Sequence, residues 1–78
     1  SLQLAFMEAR AMGPRDVLLR MRLERARERL LAATPAETVT TIALDCGFSH
    51  LGRFPAAYRL AFGELPTETL ARTRRRRL

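Results

Sequence analysis

Apolar residues along this chain recur at spacings of three and four, the signature of helices with one buried face. Residues 1–11 place Leu2, Ala5, Phe6 and Ala9 on one stripe, predicting a helix already under way at the first residue. Met12-Gly13-Pro14 breaks it, and Pro14 suits the first position of the next helix, where a missing N–H costs nothing. Arg15 to Ala33 is the longest helical pattern and carries two stripes. Leu19, Leu23, Ala26 and Leu30 form one; Val17, Leu18 and Met21 lie on another side, toward the N-terminal end. A helix with two separated stripes has two bodies to pack against, so this segment reads as a linker helix.

The stretch from Ala36 to Gly63 reads as helix, tight turn, helix. Val39, Ile42, Ala43 and Cys46 make one apolar stripe; Leu51, Phe54, Tyr58, Ala61 and Phe62 make the next. Between them Gly47 can take positive φ, Phe48 is an apolar anchor and Ser49 is a candidate N-cap. Ala43 is small enough for the two helices to cross closely. These are the requirements of a helix-turn-helix, whose second helix is the one that enters a DNA major groove. Thr34-Pro35-Ala36-Glu37 has the form of a capping box ahead of this unit, with Thr38 as the alternative N-cap. Pro55 conflicts with a helix that starts just after Ser49, at a cost of about 3 kcal/mol in a helix interior. An irregular first turn is therefore expected there. Gly63 ends the helix, Pro66-Thr67-Glu68 opens a short last one containing Leu70, and residues 74–78 read as a disordered basic tail.

The chain also matches itself. Leu2, Phe6, Ala11, Pro14 and Leu18 repeat as Phe54, Tyr58, Gly63, Pro66 and Leu70 at a constant offset of 52 residues. Five matched positions point to two copies of one unit. The second copy has a complete helix-turn-helix, whereas the first lacks its leading helix and turn. The sequence is therefore expected to begin inside the recognition helix of an N-terminal unit, as a truncated chain would.

Composition narrows the function classes. At 78 residues the chain forms at most one small domain. All fourteen basic residues are arginine. Of the +6 formal charge, four belong to Arg74 through Arg77, leaving only +2 on the rest. Basicity alone is thus a modest argument for a nucleic-acid partner. The one cysteine, Cys46, falls on a predicted buried stripe and reads as a small core residue. No apolar run has the length of a membrane span. One histidine, no metal-spaced cluster and no glycine-rich phosphate loop leave catalysis and cofactor binding without a positive signal. In the linker helix Glu24 with Arg27, or Glu28 with Arg25, are expected solvated pairs.

A specific resemblance runs along nearly the whole chain. Pro14, Arg22-Leu23-Glu24-Arg25-Ala26-Arg27, Ile42-Ala43, Gly47-Phe48-Ser49, Phe54, Tyr58-Arg59, Phe62-Gly63 and Pro66 resemble the DNA-binding domain of AraC/XylS-type transcription regulators. The resemblance implies an all-α fold of two helix-turn-helix units, the first incomplete, joined by a long linker helix in a homeodomain-like three-helix arrangement. It divides the chain into residues 1–33, a remnant first unit plus linker helix, and 34–73, the complete second unit. It further implies a cytoplasmic bacterial module, such as an activator's, that reads double-stranded DNA. RNA polymerase would be a possible further partner, and an effector or dimerisation domain would lie outside this sequence. The chain departs from the family where an outward arginine is usual: Leu4 and Ala56 stand there, and Ala11 replaces a usual glycine.

On a helical wheel for a recognition helix over 50–62, Gly52, Arg53, Ala56 and Leu60 point away from the apolar stripe, with Arg59 on the flank. Arg53 is the expected base reader, because a guanidinium bonds guanine O6 and N7 together. Ser49 and His50 are placed to meet phosphate or a base edge, and Arg59 to meet phosphate. The expected DNA-binding set is Ser49, His50, Gly52, Arg53, Ala56 and Arg59. Three other readings compete: a helical protein-interaction module, a non-functional fragment of such a regulator, or an RNA- or membrane-binding basic peptide resting on Arg74 to Arg77 alone. A loosened N-terminal half and a firmer second unit are expected. Amide hydrogen exchange should show slower exchange in residues 34–73 than in 1–33, and equal protection would refute that.

Overall fold

The computed structural model describes residues 13–76. Within them lie four helices and no strand: α1 (Pro14–Leu31), α2 (Val39–Asp45), α3 (Phe54–Phe62) and α4 (Pro66–Arg76). The helix expected over residues 1–11 lies outside the described residues, as do Arg77 and Leu78. Two of the repeated positions, Pro14 and Pro66, each open a helix.

The start of each helix follows local chemistry. At α1 the Asp16 carboxylate accepts from the Gly13 N–H at 3.1 Å. At α2 the cap is Thr38, whose hydroxyl accepts from Thr41 N–H at 3.2 Å while Thr41 Oγ1 accepts from Thr38 N–H at 3.1 Å. The Thr34–Glu37 pattern also forms, with Glu37 accepting from Thr34 N–H at 2.8 Å. It closes a turn instead of opening a helix, because extended backbone at Thr38 interrupts the chain first.

The core is built from all four helices. Leu23, Ala26 and Leu30 of α1 meet Ile42 and Ala43 of α2, Phe54 and Tyr58 of α3, and Leu70 of α4; Ala33 and Cys46 complete it. Ala26 of α1 and Ala43 of α2 are both fully buried. Each large side chain here contributes about 1.5–3 kcal/mol on leaving water. Burial holds Cys46 as a core residue and pushes its thiol pKa up.

The two stripes of α1 fare differently. Leu23, Ala26 and Leu30 are buried, but Leu19 at the N-terminal end is exposed. Val17, Leu18 and Met21 are exposed among the described residues, Met21 to 61%. The expected pairs on this helix also give way. Glu24 bonds Arg20 at 3.1 Å, one full turn back, while Arg27 and Arg20 both stand 5.5 Å over the Phe62 ring.

The C-terminal segment corrects an expectation. Arg74, Arg75 and Arg76 are helical, and Arg74 donates to the Glu37 carbonyl at 3.1 Å. Leu70, Thr69 and Thr73 anchor that helix by burial, so α4 continues where composition suggested a loose tail.

One buried network joins α3 to α4. Tyr58 is fully buried, and its hydroxyl lies 2.8 Å from Thr69 Oγ1. Thr69 donates to Glu64, which is held by Arg72 at 2.8 and 2.9 Å. An ionised carboxylate only accepts, so the Thr69 proton goes to Glu64 and Tyr58 must donate to Thr69. Tyr58→Phe should cost about 1 kcal/mol in urea unfolding, the net value of one hydrogen bond. Thr69→Val should cost more, roughly 1–3 kcal/mol, because it leaves the buried Tyr58 hydroxyl without a partner. The reverse order would disprove the assigned donor direction.

Candidate nucleic-acid interface

α2, the turn and α3 form the helix-turn-helix. Cys46 caps α2, and Gly47 follows with φ +94°. That conformation favours glycine, and space does too: a Cβ there would stand 3.1 Å from Arg22 Nε. The turn is fastened by Phe48, whose N–H donates to the Ala43 carbonyl at 3.0 Å. Its ring sits 4.7 Å from that of Phe54. Phe54, Tyr58 and Phe62 continue the contact at 5.7 and 4.8 Å, making a row of aromatic rings along the inner face of α3. α3 ends at Gly63 in the left-handed conformation, φ +76°.

The recognition helix starts later than 50. Arg53 occupies its N-cap position, and Ser49 is not its cap. Residues 51–53 form a turn, closed by Arg53 N–H on the His50 carbonyl at 3.0 Å. Pro55 explains the shift. In the helix interior its ring would meet the carbonyl four residues back, but in the first turn it meets no helical acceptor. Leu51, expected on the buried stripe, is consequently exposed in the turn.

All six expected contact residues are exposed, and the structure distributes them over two sides of α3. Ser49, His50 and Arg53 line a groove that runs between the turn and α1, where Leu19 and Arg22 form the far wall. Gly52, Ala56 and Arg59 line a second depression with Pro55, Leu60 and Leu65. The two arginines therefore flank the outward crest of the helix from opposite sides. Among the described residues neither has an acidic partner, and no acidic residue lines either depression. Arg22 is the residue that sequence reasoning missed here. It was legible only as one arginine among several on α1, and its approach to Gly47 is a tertiary fact.

Other arginines are committed to structure. Arg29 of α1 bridges Glu37 at 2.9 Å and Asp45 at 3.2 Å, tying the turn ahead of α2 and the last residue of α2 to α1. The Thr34 N–H, followed by Arg29, holds the Glu37 carboxyl down at a pKa of about 2. Arg72, followed by Thr69, brings Glu64 to about 2 as well. Among the described residues, no helix is long and apolar enough to cross a membrane, and no cluster of His, Cys, Asp and Glu could hold a metal ion.

Two short helices joined by a tight glycine turn and packed on a third define a helix-turn-helix protein. Comparison with known proteins identifies which kind. A family model described as a helix-turn-helix domain matches residues 1–72, and the chain belongs to the AraC/XylS-type family of transcription regulators. It is 44% identical over 71 residues to the probable thc operon regulatory protein of Rhodococcus erythropolis, covering 90% of this chain and 21% of that protein. It is 47% identical over 58 residues to a XylDLEGF operon transcriptional activator of Pseudomonas putida, covering 73% of this chain and 18% of the relative. The HTH-type transcriptional activator RhaS of Pectobacterium carotovorum is 42% identical over 55 residues, 70% of this chain and 19% of its own. The chain thus spans about a fifth of the length of these curated relatives. No solved structure matches it at a significant level.

The two depressed carboxylates set an acid limit on this scaffold. Their folded pKa values lie below the ordinary 4.5, so the unfolded chain binds more protons and stability falls as pH is lowered. The stabilisation is complete above about 4.5 and disappears as pH drops through about 2. Urea midpoints measured across that window should decline, and the decline should flatten in the Glu37→Gln, Glu64→Gln double variant. An equally steep decline in that variant would rule these two groups out as its cause.

Proposed function

We propose that this chain is the DNA-reading part of a bacterial transcription regulator and that α3 lies in the major groove of double-stranded DNA. The observation that carries the reading is the pair of arginines flanking the exposed face of α3, neither with an acidic partner among the described residues. Arg53, at the N-terminal tip of the helix, reads a guanine edge, the position from which recognition helices address bases. Arg59, half-way along the other flank, contacts phosphate, as do Ser49 and His50 beside the turn. Gly52 and Ala56 let the helix backbone approach the base edges closely. The relatives named as transcriptional activators support activation as the outcome; RNA polymerase is the protein partner that reading proposes.

Binding of the full chain to a randomised duplex pool at two salt concentrations tests this. A preferred sequence should emerge and weaken as salt rises, with a log–log slope of about −0.9 for each phosphate neutralised. Arg53→Ala should lose roughly 1–3 kcal/mol and its base preference, while Arg59→Ala should weaken all duplexes evenly and reduce the slope by about 1. Binding indifferent to both salt and sequence would instead mark the surface as a protein-interaction face.

A further inference from the structure

The outward crest of α3 is apolar. A helix advances 100° per residue, so Ala56 and Leu60 stand opposite the buried Phe54 and Tyr58, with Gly52 just before the helix on the same side. Leu60 is 91% exposed, so its side chain contributes nothing to the core. Half-buried Pro55 lies about 100° round the helix from Ala56, on the far side of Arg59, and is not part of this crest. Hydrogen-bonding side chains occur only at the flanks, as Arg53 on one side and Arg59 on the other. Such a surface suits a polyanion that offers an apolar group between its charged rails.

The major groove offers one apolar group, the C5-methyl of thymine; the edges of the other bases present donors or acceptors. A crest of Ala56 and Leu60 set against those polar edges would strip their water and return no bond, a loss of roughly tenfold in affinity for each. Against thymine it buries a methyl. Building on the DNA-binding reading above, we infer that Ala56 and Leu60 read thymine methyl groups. The preferred site then has thymines at its centre, with the Arg53 and Arg59 contacts on either side. Polar readout is confined to the edges of the helix and apolar readout to its crest.

Replacing thymine by deoxyuridine in the selected duplex removes the methyl and leaves base pairing intact. The full chain should bind about fourfold more weakly for each methyl lost from the central positions, the worth of one buried carbon group. Deoxyuridine outside those positions should change nothing. Leu60→Ala should abolish the penalty at one position while keeping the salt slope, since no charge is altered. Equal affinity for thymine and deoxyuridine duplexes, with sequence preference retained, would overturn the inference and leave the DNA-binding reading standing. Failure to select any sequence would overturn both.

Discussion

The buried hydroxyl of Tyr58 sets the terms for the C-terminal half of the molecule. A tyrosine ring supplies the centre of the core, but its oxygen must be bonded once water is excluded. Thr69 provides that bond, and Glu64 and Arg72 in turn orient Thr69. The chain can satisfy this sequence of demands only if α4 folds back across α3. The same arrangement buries Leu70 and Thr73 and carries the helix on to Arg76. Position and orientation of the recognition helix thus depend on a polar network whose far end lies beyond that helix.

Arginine performs two separate jobs in this fold. Arg29 and Arg72 sit against carboxylates that also accept backbone or hydroxyl hydrogens, so each helps to hold a helix in place. Arg20 and Arg27 lie over Phe62 and cover the end of the aromatic row. Arg53 and Arg59 have no such engagement among the described residues, and they border the one face on which the fold leaves an almost bare leucine. Net charge would count all of these alike. Their partners, not their number, separate scaffold from surface.

Pro55 shows how one residue shifts a functional element. It is tolerated in the first turn and costly beyond it, so α3 opens at Phe54 and the preceding residues form a turn. That displacement takes Ser49 and His50 off the helix and puts Arg53 at its tip. It also brings Arg53 toward α1, where Arg22 completes the groove.

Much of this was readable from sequence because it depends on neighbours three or four residues apart. Helical spacing located α1 through α4. Gly47 and Gly63 marked the two positive-φ positions, Pro14 and Pro66 the helix starts, and the Ile42–Phe62 motifs the family. The outward character of Gly52, Ala56 and Leu60 followed from the same periodicity. The arginines' partners did not follow: Arg29 with Glu37 and Asp45, Arg27 on Phe62, and Arg22 beside Gly47 join residues that no local rule relates. Nor did the continuation of α4, whose arginine-rich end looks unstructured until Thr69 and Thr73 are seen to be buried. The amino-acid sequence by itself determined which faces are apolar and where helices break, since those are set by local periodicity and backbone sterics. Only the tertiary structure decided which charges pair and which remain free, because that depends on what chain folding brings within about 4 Å, the reach of an ion pair.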